Sequence, residues 1–488
     1  MRSINDFQIN AAGQVAFTGE YASGNQKPNG VWTGSVENPG LLFSTGSTIS
    51  GLPNNERYGE TEFFNLASDG SIAQVVKLTG PLENTALVVT SGNTQKILAE
   101  SGDTLAGLSK DLTIGRFKNI SHSNDATAVQ LDIKYRSGIG VTNGLWVYAN
   151  DAFQVVAESF DRKVDSAPEV ENTCRVFTST SSSDRPNFRM LDNATLIFQA
   201  TVRNYSTGPC VKGNAIVRYN ASTEEYSTIV KQGDIVPGAP ASTFSDVELI
   251  DVTPNGTVYI ASDLHTPTAG FRPDRKWSYW AFPKSGAARL IALEGEATEV
   301  GNEARVFSGN SQSLQMNDSG QVAFRTDFGD KKLATLFGGF GHTGQPHSVI
   351  TSPGASALNY ALDRTATLPA PFKSSEFFSK LGVPSVDTKG HLIFYGEVTS
   401  SVLDSVTSKS IWEVDLEGGI SELVREGDSV SISGLPKSIG YFAQGVRENY
   451  TGNGELFVTA TGGIALRTAL DSNYRRNDAI VYIDPVAP

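Results

Sequence analysis

The feature that most constrains this chain is that it repeats itself. The run Ile9-Asn10-Ala11-Ala12-Gly13-Gln14-Val15-Ala16-Phe17 returns as Met316-Asn317-Asp318-Ser319-Gly320-Gln321-Val322-Ala323-Phe324. Weaker copies open at Gly70, Ala126, Ala194, Gly256, Gly390 and Gly454, so the copies follow one another at roughly 60-residue intervals. Each reads as a polar turn followed by a short apolar or alternating strand. A second strand follows, as in Gly30-Val31-Trp32, Gly144-Leu145-Trp146-Val147, Ile411-Trp412 and Ala479-Ile480-Val481-Tyr482. A third element then recurs as Glu100-Ser101-Gly102-Asp103, Lys231-Gln232-Gly233-Asp234 and Arg425-Glu426-Gly427-Asp428. A unit this short, with three or four strands, buries little by itself and must pack on its neighbours. That predicts an all-β fold, a β-propeller. Eight inner strands stand against seven outer motifs, which leaves seven or eight blades open. No long amphipathic helix and no linker interrupts the series, so one domain over residues 1–488 is expected.

Composition narrows the function classes. Apolar residues make up 39% and charged residues 19%, with 25 Phe and 15 Tyr to bury, which describes a globular chain and not a disordered one. No run approaches the ~18 apolar residues of a membrane span. The net charge of −13 argues against a nucleic-acid partner but leaves room for a polyanion in one local basic cleft. Met1-Arg2-Ser3-Ile4-Asn5-Asp6 lacks the apolar stretch of a signal peptide. That reading predicts either a cytosolic chain or a mature protein without its leader. Its Ser/Thr/Asn/Gly-rich, Lys-poor character favours the second, a secreted or periplasmic location. A monomer is expected.

The repeat also serves as an internal alignment, in which a functional residue should break the pattern. Four residues before each start stand Ile9, Leu66, His122, Met190, Val252, Met316, Val386 and Tyr450. His122 is the departure. A buried imidazole costs free energy unless it is hydrogen-bonded, so a satisfied core histidine competes with a catalytic one. Nine residues after each start, three consecutive copies supply Tyr135, Arg203 and His265. Equivalent positions in neighbouring copies should cluster on one face, with Tyr205 on the same side of its strand as Arg203. A polar rim is the competing reading. These residue types suit proton abstraction beside a carboxylate: Arg pairs the carboxylate, His or Tyr takes the proton, and a second such group protonates the leaving oxygen.

Further candidates flank this set. Lys134 and Arg136 border Tyr135, and Arg272, Arg275, Lys276 and Trp277 combine cations with an aromatic ring that can hold an anionic sugar. His391 occupies a polar turn and is expected to be exposed, while His342 and His347 lack ligand spacing. Cys174 and Cys210 flank the fourth inner strand, and a disulfide, free thiols, or a zinc site shared with His265 all remain open. Calcium at the Gly-Asp turns is the weaker alternative to ordinary turn chemistry. No cofactor is required for the chemistry above.

On His122 and Arg203, the chain resembles the β-propeller ulvan lyases of marine bacteria. The resemblance implies seven blades, a secreted polysaccharide lyase, and β-elimination on a uronate-containing sulfated polysaccharide. It makes His122 the catalytic base or acid and Arg203 the carboxylate neutraliser. The tyrosine expected before the fourth inner strand is replaced by Asn187 and Phe188, which leaves Tyr135 and Tyr205 as substitutes. The alternatives are a non-catalytic propeller that binds glycan or protein, and a hydrolase using Asp263, Asp327 and Glu397.

Overall fold

The computed structural model describes residues 3–24, 26–36, 38–52, 56–80, 84–105, 112–135, 141–158, 173–178, 188–204, 211–266, 274–294, 297–300, 303–307, 314–317, 320–326, 328–329, 348–352, 359–362, 366–382, 384–400, 406, 408–432, 435–442, 456–458, 463–470 and 478–483. The described residues are all-β and contain no helix. The chain divides into two compact units, Asn5–Val252 with Val258–Ala269, and Met1–Ile4 with Thr253–Thr257 and Gly270–Pro488.

Most repeats become a single antiparallel sheet with the form of a propeller blade. The second copy runs through strands Arg57–Leu66, Ile72–Thr79, Thr85–Ser91 and Thr94–Glu100, hydrogen-bonded in that order. The third does the same with Leu112–Ser123, Ala126–Tyr135, Val141–Ala149 and Ala152–Glu158. In the other unit, the seventh copy pairs Phe377–Leu381 and Ser385–Val386 with Leu392–Thr399, then Ser408–Val414 and Ile420–Arg425. The strand that opens the sequence repeat is thus second in most of these sheets, third for Val258–Thr266 and Ile464–Leu470, and not an edge strand. The described strands make nine sheets of three to six strands, which does not confirm seven blades.

Strand pairing corrects two points of the alignment. In most copies the turn joins residues six apart, as in Leu66↔Ile72, Met190↔Leu196, Val386↔Leu392 and Val458↔Ile464. The eighth central strand therefore follows Gly463 and not Gly454, and Tyr450 is not the counterpart of His122. In the third copy the pairing is His122↔Thr127, one residue tighter. Counting from Thr127, the residue equivalent to Thr79, Arg203 and His265 is Lys134, and Tyr135 falls one place beyond it.

Packing explains the G-x-W motif. Trp32, Trp146, Trp280 and Trp412 take the same place on the third strand, where the fourth strand bulges at Leu42, Val156, Ile291 and Leu423. Trp146 and Trp412 are fully buried. A Cβ on Gly144 would stand 2.2 Å from the Trp146 ring, so glycine two residues earlier lets the indole lie back along its own strand. Replacing such an indole by alanine costs about 3–5 kcal/mol.

Two recurrent joints tie consecutive copies together. The first is the Gly-Asp turn. Gly102 donates to Ile114 O and Ile114 donates to Asp103 O, both at 2.8 Å, so the end of one sheet hydrogen-bonds the first strand of the next. Gly46–Tyr58, Gly233–Phe244 and Gly427–Ile439 repeat the arrangement. The glycines hold φ between +90° and +101°, the left-handed region glycine enters without strain. The Asp carboxylates accept backbone N–H groups three residues earlier, from Glu100, Lys231 and Arg425 at 2.8–2.9 Å. Turn chemistry thus occupies these aspartates. The second joint is the Asn turn: Asn10 Oδ1 accepts from Gln14 N, while Nδ2 donates to Gln14 Oε1 and to Ala67 O of the next copy. Asn317 does the same with Gln321 and Asp387 O. The two clearest sequence copies are alike because they make the same joint.

Candidate functional site

His122 belongs to such a joint. It is 5% exposed and sits between the second and third copies. Its Nε2 lies 2.9 Å from Ser71 Oγ, and Ser71 also donates to Asp69 Oδ1 at 2.6 Å. Its Nδ1 lies 3.0 Å from Ala126 O and 2.9 Å from Thr127 Oγ1, and its backbone N–H donates to Asn65 Oδ1. Burial holds its pKa below the ordinary imidazole value. Both nitrogens are engaged inside the packing, and His122 does not line the cavity described next.

That cavity has a volume of about 1380 Å³ and lies wholly within the first unit, at the strand ends of copies one to three. Thr79 and Lys134, at equivalent positions of successive central strands, both line it. So do Lys27, Lys77, Arg116, Glu60 and Glu62. Lys77 Nζ is 2.5 Å from Glu60 and 3.7 Å from Glu62, and the hydrogen bond to Glu60 raises the Lys77 pKa. Lys27, Arg116 and Lys134 are exposed and form no ion pair among the described residues. Arg116 owes its place to a bulge at Gly115, after which it stands opposite Asp132. The equivalent bulge at Gly59 brings Glu60 opposite Lys77, the same pairing with the charges exchanged.

Other sequence candidates are placed by register. Arg203 lies in the strand Thr195–Asn204, opposite Arg175 on one side and Lys212 on the other, so three cationic residues form one row across the sheet. His265 is half-buried, with its backbone opposite Thr243. In the other unit, Lys276 is exposed and Trp277 half-buried, its ring edge-on to Tyr279 at 6.3 Å. For Tyr135, Cys174 and Arg275 only the backbone is described, all three within strands. Tyr205, Arg136, Arg272, Cys210, His342, His347 and Asp327 lie outside the described residues. His391, expected at the surface, instead donates from Nδ1 to Glu413 Oε1 at 2.9 Å. Lys27, Arg116, Glu60 and Glu62 were not singled out from sequence because they lie off the repeat-opening strand, and Lys77 because it stands two residues before the compared position, Thr79. For Glu60 and Glu62 the alternation Arg57-Tyr58-Gly59-Glu60-Thr61-Glu62 is the available signal.

Over residues 9–442 the sequence matches the Family of unknown function (DUF7453). The chain belongs to that family. No curated protein matches it. Among solved structures it is similar to the β-propeller domain of the Trilobed protease from Pyrococcus furiosus, at 10% identity over 87% of this chain and 95% of that one, with a TM-score of 0.39. It is similar to the acylaminoacyl peptidase of Pyrococcus horikoshii at 10% identity and a TM-score of 0.39, over 90% of this chain but only 57% of that peptidase. The GH93 α-L-arabinofuranosidase of Fusarium graminearum is a further similar structure, at 10% identity over 89% and 96% of the two chains and a TM-score of 0.25.

Proposed function

We propose that the strand-end face of the first unit binds an anionic polysaccharide, a uronate-bearing polymer. One observation carries the reading. On a chain of net charge −13, the cavity gathers four cations against two carboxylates, and three of the cations make no ion pair among the described residues. Exposed cations in a concave site attract a polyanion and pair its carboxylates or sulfates. A ligand of this kind fits the secreted or periplasmic location expected from the sequence.

The test is isothermal titration of the full chain with a sulfated uronate polymer and with a neutral glucan. The uronate polymer should bind, weaken as salt rises, and lose tenfold or more in affinity in the variant Lys27→Gln/Arg116→Gln/Lys134→Gln. Equal binding of the neutral glucan, or an unaffected variant, overturns the proposal.

The cationic row through Arg203 supports a second reading, in which the bound uronate undergoes β-elimination. A base removes the C5 proton, the C4–O bond breaks, the departing oxygen is protonated, and a C4=C5 double bond remains. Arg203 would neutralise the carboxylate, with Tyr135, Tyr205 and His265 as the proton-transfer candidates. A rise in ultraviolet absorbance on the uronate polymer, abolished by Arg203→Ala, is the expected result. A flat trace with binding intact leaves binding alone as the function.

A further inference from the structure

The seventh copy departs from the Asn turn in a coordinated way. The turn backbone is the same: His391 N–H donates to Asp387 Oδ1 at 2.7 Å, as Gln14 and Gln321 donate to Asn10 and Asn317 at 3.0 Å. The side chains are not. Where the first and sixth copies have an Asn–Gln pair, the seventh has Asp387 and His391. On the adjoining strand, the residue paired with Ile393 is Glu413, where the equivalent pairings Ala16↔Thr33 and Ala323↔Thr351 carry threonine. An amide, a second amide and a hydroxyl have thus become a carboxylate, an imidazole and a carboxylate.

These three groups converge. His391 Nδ1 is 2.9 Å from Glu413 Oε1 and 3.6 Å from Asp387 Oδ2, and the three candidate donor atoms lie within 4.8 Å of one another. Two ligands held about 2.1 Å from one tetrahedral ion stand roughly 3.4 Å apart, so small rotations bring all three onto one ion. Asp387 is 4% exposed, and among the described residues no Lys or Arg pairs with it or with Glu413. A buried carboxylate beside a second carboxylate calls for positive charge. His391 and Glu413 are partly exposed, which leaves an approach for an ion and room for water on it.

We infer that Asp387, His391 and Glu413 form a divalent-cation site. Imidazole nitrogen with two carboxylate oxygens suits zinc better than calcium, which prefers an all-oxygen shell. The chain supplies its own control: Asp387→Asn/His391→Gln rebuilds the pair already present in the first and sixth copies, so this variant should fold. Untagged, chelator-treated full chain is titrated with Zn²⁺ by calorimetry, alongside the double variant and Glu413→Thr. The wild type should bind one equivalent more than either variant, and its thermal unfolding should rise with Zn²⁺ where theirs does not. Counting the difference in equivalents separates this site from any thiolate site at Cys174 and Cys210, which all three proteins retain. Equal stoichiometry in wild type and variants, or no zinc binding by the wild type, overturns the assignment.

Discussion

His122 and Lys134 lie on neighbouring strands of one sheet, and both stand out when the copies are aligned. The first is buried in the joint to the preceding copy, with both ring nitrogens engaged. The second is exposed at the end of its strand and faces a large polar cavity. A broken repeat position therefore does not by itself identify function. A polar residue introduced at a joint must be satisfied internally, and one introduced at a strand end stays available to a ligand. Substitutions in the two regions should accordingly separate stability from binding.

Among substitutions in these two regions, the largest effect is expected at the joint made by Asn10. Asn10→Ala removes the bonds to Gln14 and Ala67 and should lower stability by about 2–3 kcal/mol, measured by urea unfolding, with polysaccharide binding unchanged. His122→Leu, which restores the aliphatic pattern, should cost less, about 1–2 kcal/mol near neutral pH. It should also change the pH profile. Because burial lowers the His122 pKa, the folded state binds its proton less readily than the unfolded state. Wild-type stability should therefore rise with pH through the region below 6.5, and the variant should show a shallower slope there. Identical slopes would place the titration elsewhere. The smallest stability effect belongs to the cavity. Lys77→Gln breaks an exposed ion pair with Glu60 and should change stability by less than about 1 kcal/mol. A joint variant that abolished binding, or a cavity variant that unfolded the protein, would break the distinction between the two regions.

The fold was legible because its signals are local and recur. Turn and strand recur in several copies and the third-strand tryptophan in four, and copies of a sequence reveal a period even when each is weak. Of the residues nine after each start, Thr79 lines the cavity, and Lys134 does so in the place that the shorter turn takes from Tyr135, whereas Arg203 and His265 do not line it. What sequence could not supply was the one-residue-shorter turn at His122, since a single residue exchanges Tyr135 for Lys134 and so exchanges strand faces. Nor could it distinguish a buried imidazole from a presented one, because burial of His122 depends on Ser71 and Asn65, more than 50 residues away. Arg116 and Glu60 were hidden for a related reason: each is aimed by a bulge opposite the central strand, and bulges leave little trace beyond a glycine.

The Gly-Asp turn has a consequence for how such a chain can change over time. At the four joints seen among the described residues, one copy supplies a reaching element, the turn, and the next a receiving element, the backbone of its first strand, and the bonds between them use almost no side-chain identity. Any copy is therefore compatible with any other as a neighbour. A gene encoding this fold can duplicate a unit without inventing a new interface, and one turn, such as that of Asp387, can acquire new chemistry while the scaffold around it stays unchanged.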